Sequence, residues 1–164
     1  MSYTENRMKH NSTAKERSLN PTTHSDLQTI PKAKASEELD ERIQVALQAA
    51  SDKKALDLVV LDLREIATFT DYFVIASGNN ERQVQAISDE VFEKLKKSGT
   101  AAARVEGYKS AEWILLDYGD FIVHVFSDKA RKFYDLERLW RESKRIALSP
   151  EFGGESNGSL RDES

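Results

Sequence analysis

Trp113-Ile114-Leu115-Leu116-Asp117-Tyr118-Gly119-Asp120-Phe121-Ile122-Val123-His124-Val125-Phe126 is the stretch on which the fold turns. Two runs of aliphatic and aromatic residues flank a Tyr–Gly pair, the pattern of a β-hairpin with strands at Trp113–Asp117 and Asp120–Phe126. With Tyr118 and Gly119 as the turn residues, Asp117 pairs with Asp120, Leu115 with Ile122 and Trp113 with His124. Alternation along a strand then sorts the side chains onto two faces. Ile114, Leu116, Phe121, Val123 and Val125 make one face, which is wholly apolar and belongs to a core. Trp113, Leu115, Asp117, Asp120, Ile122, His124 and Phe126 make the other, apolar but dotted with charge. Covering that face completely would bury two like charges at one pair position, which is costly unless they are partnered. Two readings follow. The mixed face is a protein-binding surface, aromatic and aliphatic at its centre and acidic at its rim. Alternatively, Trp113 and Leu115 sit under a helix while the aspartates reach solvent at the tip.

Upstream of the hairpin the periodicities are readable. Ser36, followed by Glu37, Glu38, Asp40 and Glu41, suits a helix start, with Leu39, Ile43, Leu47 and Ala50 recurring at helical spacing and Lys53–Lys54 at the end. Leu58–Leu61 and Tyr72–Ala76 are short continuous apolar runs that suit strands buried on both faces. Ser77–Asn80 is a turn, and Asn80 with Gln83 forms a capping box for a helix whose stripe is Val84, Ile87, Val91 and Leu95. Lys94, Lys96 and Lys97 complement that helix's C-terminal dipole, and Gly99 ends it. Ala102–Glu106 is a third strand. After the hairpin, Asp128 caps a last helix with Ala130, Phe133, Leu136 and Trp140 on one side. The order α-β-β-α-β-β-β-α predicts an α/β fold with a mixed sheet of about five strands flanked by helices.

The 164-residue length suits one domain with tails, and no apolar run approaches the roughly 20 residues of a membrane span. Residues 1–35 are polar, carry Pro21 and Pro31, and read as a flexible N-terminal tail; residues 36–147 form the domain; residues 148–164 read as a flexible acidic C-terminal tail. The N-terminal segment is rich in Ser, Thr and Lys, as organellar transit peptides are, while Glu5, Glu16 and Asp26 weigh mildly against one; a cytoplasmic protein is expected, with organellar import the alternative. With no cysteine there is neither disulfide nor thiol chemistry, and only His10, His24 and His124 are left as soft metal ligands. None of these has a second histidine near it, so no metal site is expected. Residues 37–147 hold 17 Lys/Arg against 21 Asp/Glu, an acidic domain with no general attraction to nucleic acid.

Taken in order, several motifs resemble one known family. They are Asp71-Tyr72-Phe73-Val74-Ile75-Ala76-Ser77-Gly78, Arg82-Gln83-Val84-Gln85-Ala86-Ile87, Glu106-Gly107, Trp113 through Asp120, Val123-His124-Val125-Phe126, and Arg131 through Trp140. Over roughly residues 55–140 the chain resembles the ribosomal silencing factors, also called Iojap-like proteins. The resemblance implies a nucleotidyltransferase-like fold without catalytic activity, and no cofactor. It implies binding to the large ribosomal subunit through its protein number fourteen, which blocks joining of the small subunit and lowers translation when nutrients are short. The family's contact surface maps here onto Trp113, Ile114, Leu115, Asp117, Tyr118 and Asp120. An apolar patch of this kind also predicts a homodimer.

The competing expectation is a nucleotide-binding or nucleotidyltransferase-like enzyme. That chemistry needs a Gly–Ser turn for phosphates and paired carboxylates for Mg²⁺. The chain has Ser77–Gly78, the reverse order, and residues 102–106 carry no Asp-x-Asp pair. Asp57 and Asp62 fall at opposite ends of a strand, too far apart to share a metal. His124 and Asp120 lie four residues apart along a strand, about 13 Å, too far for an acid–base pair. Arg82 and Gln83 sit at a helix start that could hold an anion, though a capped helix with a solvated arginine explains them as well. Arg131, Lys132, Arg138, Arg141, Lys144 and Arg145 form a basic run on the last helix, a solvated face or a peripheral contact to ribosomal RNA.

Overall fold

The computed structural model describes residues 39–152. Helix α1 (Glu41–Asp52) opens the compact unit that begins at Asp40. The side chain of Asp40, not Ser36, caps it by accepting from the backbone N–H of Arg42 at 2.8 Å; Ser36 lies outside the described residues. Ile43, Ala46, Leu47, Ala49 and Ala50 recur at helical spacing and are buried, so the apolar stripe predicted from sequence is the packed side.

Six strands follow the spatial order β3-β4-β5-β2-β1-β6. They are β1 (Leu56–Asp62), β2 (Tyr72–Gly78), β3 (Arg104–Glu106), β4 (Trp113–Asp117), β5 (Phe121–Ser127) and β6 (Lys144–Arg145). The central pair β2–β5 is parallel, with Tyr72 beside Phe121 and Gly78 beside Ser127, and every other pairing is antiparallel. The mixed sheet agrees with the expected α/β class, with one strand more than expected.

Between β2 and β3 runs α2 (Glu81–Lys97), and here the local signals work as read. Asn80 accepts from the backbone N–H of Gln83 at 2.9 Å, while the Gln83 side chain takes the N–H of Asn79 at 2.6 Å. Val84, Ile87, Val91 and Leu95 are fully buried. Helices α1 and α2 pack against one another, and α2 against β2, β4 and β5. The wholly apolar hairpin face is buried throughout, as expected.

The other side of the sheet departs from expectation. The last helix is two short ones, α3 (Asp128–Tyr134) and α4 (Leu136–Leu139), broken at Asp135, which sits in the left-handed region at φ 44°. The Ser127 hydroxyl, not Asp128, caps α3 by accepting from Ala130 N–H at 3.1 Å. Phe133, expected in the apolar stripe, is 77% exposed because the break gives the buried position to Leu136. Lys144–Arg145, read from sequence as helical, is the edge strand β6 against Leu61 and Asp62. Ala130 and Leu136 close a second core with Leu61, Leu63, Phe73, Ile75, Ile122 and Phe126, against which Trp113, Leu115 and Trp140 pack half-buried. Just past residue 147, Pro150–Phe152 forms a 3₁₀ turn that packs near α1.

Candidate protein-binding surface

The hairpin register differs from the predicted one by two residues. Trp113 pairs with Phe126, Leu115 with His124 and Asp117 with Ile122. Gly119, at φ 86°, makes the tight turn, with Asp120 N–H donating to the Tyr118 carbonyl at 3.0 Å and Tyr118 N–H to Phe121 at 2.9 Å. Because side chains alternate with period two, a two-residue shift changes every partner yet leaves every side chain on its predicted face. It also removes the like-charge pair, since Asp120 now lies in the turn.

With the register corrected, the mixed face divides. Ile122, His124 and Phe126 are buried in the second core. Trp113, Leu115 and Asp117 stay half-buried, and Asp120 at the tip keeps 66% of its side chain exposed. The strand base is covered by α3 and α4, as the second reading expects, and a half-buried strip runs from Trp113 to the exposed tip. Of the six residues implied by the resemblance, Ile114 points the other way and is fully buried, and Tyr118 is buried while stacked on Phe121 at 4.9 Å. Burial drives the Tyr118 phenol up to about 12. These two side chains support the strip from beneath; Trp113, Leu115, Asp117 and Asp120 form its outer surface.

Both tip acids are held by arginines that sequence reading missed. Arg42 bridges Asp120 at 2.9 Å and Asp40 at 2.7 Å and lies over the Phe121 ring at 5.3 Å. Its hydrogen bond holds the Asp40 carboxyl below the usual carboxylate range. Arg104, on edge strand β3, reaches Asp117 at 3.3 Å, whose other oxygen accepts from Gly119 N–H at 2.9 Å. Thr70 donates its hydroxyl hydrogen to the Gly119 carbonyl at 2.9 Å, and Asp71 N–H donates to that of Asp120 at 2.9 Å. Asp120 and Arg42 are 78 positions apart, so no local pattern could have announced the pair.

At the other end of the strip, Trp113 meets an aromatic cluster. Its ring lies 4.9 Å from Phe126 and 4.8 Å from Tyr134, and its indole N–H donates to His124 Nδ1 at 3.1 Å. Sequence reading set His124 directly across from Trp113; the observed contact is diagonal, with His124 across from Leu115. Phe73 packs edge-on to the imidazole at 4.4 Å, and burial drives this histidine down to about 3. It is therefore neutral and, since Nδ1 accepts, carries its proton on Nε2.

Of the residues weighed for catalysis, Ser77 and Asp62 are engaged elsewhere. Ser77 is fully buried, and its hydroxyl accepts from Arg131 Nη1 at 2.8 Å. Asp62 is paired with Arg64 at 2.8 Å, and Asp57 sits at φ 43° where the β1–β2 register shifts. Among the described residues no group of three or more His, Cys, Asp or Glu is placed to hold a metal ion. Arg82 lines an open cleft with Asn79, Asn80 and Lys129, but Glu81, Glu112 and Asp128 line it too. The expected basic run is dispersed: Arg131 is buried in a fork–fork pair with Glu137, Arg145 joins the same carboxylate at 3.2 Å, and Lys132 pairs with Asp128 at 3.4 Å. Among the described residues no helix is long and apolar enough to cross a membrane.

A mixed sheet with α1 and α2 over one face and a broken helix over the other is an α/β domain, with an aromatic–acidic strip along its hairpin. Comparisons with known proteins name its family. The family described as "Ribosomal silencing factor during starvation" matches residues 36–163. A ribosomal silencing factor of Halalkalibacterium halodurans is 42% identical over 108 residues, covering 66% of this chain and 92% of that protein. The chloroplastic protein Iojap of Zea mays is 35% identical over 101 residues, 62% of this chain and 44% of that protein. A crystal structure of a Bacillus halodurans protein, 42% identical, superposes with a TM-score of 0.60 over 66% of this chain and 98% of that one. The chain belongs to the ribosomal silencing factor family.

Proposed function

We propose that this protein represses translation by occupancy rather than by chemistry. It binds the large ribosomal subunit through protein number fourteen and stands where the small subunit must dock. The observation that carries this reading is the open strip Trp113–Leu115–Asp117–Asp120, an aromatic and aliphatic centre ending in a pre-ordered acidic tip. Such a strip has the make-up of a protein interface, and its acids favour a basic partner such as a ribosomal protein. Ile114 and Tyr118 act from beneath, by fixing the strand and the turn. Family membership supports the ribosomal partner. The engagement of the Ser77 hydroxyl by Arg131 supports a non-catalytic role, because a phosphate-holding turn needs that hydroxyl free.

Ribosomal RNA is a secondary contact in this reading, through the exposed cations Arg138, Arg141 and Lys144 rather than through Arg131. Self-association through the same apolar strip keeps the free protein dimeric, and its compartment is that of its ribosome, the cytoplasm. Co-sedimentation with isolated large subunits tests the main reading. Trp113→Ala, at the aromatic centre, and Asp120→Lys, a charge reversal at the tip, are each expected to weaken binding about tenfold or more. Wild-type binding by both folded variants would remove the strip from the interface.

A further inference from the structure

Trp113 is held in two physically different ways. Its contacts with Phe126 and Tyr134, at 4.9 and 4.8 Å, are dispersive and fix the plane of the ring. Being non-directional, they do not by themselves decide which edge of the indole faces the imidazole. Only a directional contact selects the edge, and the described residues supply one, the hydrogen bond from Nε1 to His124 Nδ1 at 3.1 Å. The acceptor is itself immobile: His124 is 3% exposed, faces Phe73 edge-on at 4.4 Å and lies in the β5 register between Val123 and Val125. Among the described residues its Nε2 has no hydrogen-bond partner, so none of them competes for the ring's orientation or draws a second proton to it. A buried polar atom without a partner is destabilising and calls for an explanation.

We infer that His124 is the positioning residue of the partner-binding strip: as a neutral acceptor locked in the second core, it sets which edge of the Trp113 indole is presented beside Leu115. This rests on the proposed function for its consequence, but the lock itself is a property of the free protein and can be read without a ribosome. A merely structural histidine would fill space, and an apolar residue of similar size would replace it. A positioning histidine is replaced only by a side chain that keeps an acceptor where Nδ1 stands. Asparagine does so through Oδ1, and leucine does not.

The experiment uses the full chain, ¹⁵N-labelled, as wild type, His124→Leu and His124→Asn. In the wild type, imidazole ¹H–¹⁵N correlations should show a neutral ring protonated at Nε2, and the Trp113 indole N–H should exchange slowly. In His124→Leu the indole signal should move and exchange at least tenfold faster, while His124→Asn keeps slow exchange. Large-subunit binding should follow the same order, about tenfold weaker for leucine and within about threefold of wild type for asparagine. A wild-type ring protonated at Nδ1 overturns the lock even if both variants fail to fold. Equal indole exchange in all three proteins overturns it as well. An altered indole with unchanged subunit binding in His124→Leu overturns the positioning role. If wild type fails to bind the large subunit while the indole pattern holds, the proposed function fails and the lock survives.

Discussion

Gly107 stands at φ 79°, and a β-carbon placed there would overlap the backbone carbonyl oxygen of Trp113. Both the backbone conformation and the close approach exclude a side chain, because the neighbour is main chain and cannot swing away. Gly119 shares the positive φ, but nothing lies near its missing β-carbon. Gly107→Ala is therefore expected to cost about 3 kcal/mol or more and Gly119→Ala about 1 kcal/mol, read from urea midpoints. His124 gives a second prediction at this scale. Its ordinary value near 6.5 is depressed to about 3 in the folded chain, so the unfolded chain binds the extra proton first as pH falls. The resulting stability is complete above pH 6.5 and declines between pH 6.5 and 3, with a slope approaching about 1.4 kcal/mol per pH unit. Denaturation curves between pH 7 and 4.5 should show that slope in wild type and lose it in His124→Asn. At residue scale the sequence was legible wherever the determinant is local. Asn80 and Gln83 announce their capping box within four positions, whereas Arg42 meets Asp120 only through the fold.

At the scale of elements, the instructive case is the helix that breaks. Residues 128–141 carry a helical apolar pattern, yet Asp135 turns left-handed. Across that break Arg131 makes a fork–fork pair with Glu137, at 3.1 and 3.0 Å, and reaches back to Ser77 on β2, while Arg145 on β6 joins Glu137. One carboxylate thus ties together α3, α4 and the sheet edge. Burial alone would raise the Glu137 carboxyl, but the two arginines hold it below its usual range. A four-residue network spanning positions 77 to 145 leaves no periodic trace, which is why a single long helix is what the sequence suggests. Glu137→Gln leaves the buried Arg131 guanidinium without its counter-charge. It should cost about 2–3 kcal/mol, less than a fully buried pair because Glu137 keeps 25% of its side chain exposed. The hairpin is the opposite case. Its turn lies one residue later than expected, at Gly119–Asp120, which shifts the register by two and leaves both faces as expected, because parity and not register decides the face.

Over the whole molecule the sheet has a protected centre and weak edges. β2 and β5 are flanked on both sides, and their residues are nearly all buried; β3 and β6 are short and exposed. Amide hydrogen exchange should follow this order, slowest at 73–77 and 122–126 and fastest at 104–106 and 144–145. Uniform protection across the sheet would contradict the layering described above. Fold class was legible at this scale because continuous apolar runs, unlike alternating ones, mark strands covered on both faces. The sixth strand was not, since two polar residues carry no pattern.

The parallel pairing of β2 with β5 also has a consequence in time. Its partners are widely separated in the chain; the contact that flanks the pair, Thr70 to Gly119, spans 49 positions. A chain emerging from its own ribosome therefore completes β1, β2 and α2 long before the strand that closes the sheet exists. Until Phe121–Ser127 has left the exit tunnel, β2 carries an open apolar edge, which is a template for wrong pairing. A protein of the ribosomal silencing factor family thus closes its own central layer only after β5 has followed β1, β2 and α2 out of the tunnel.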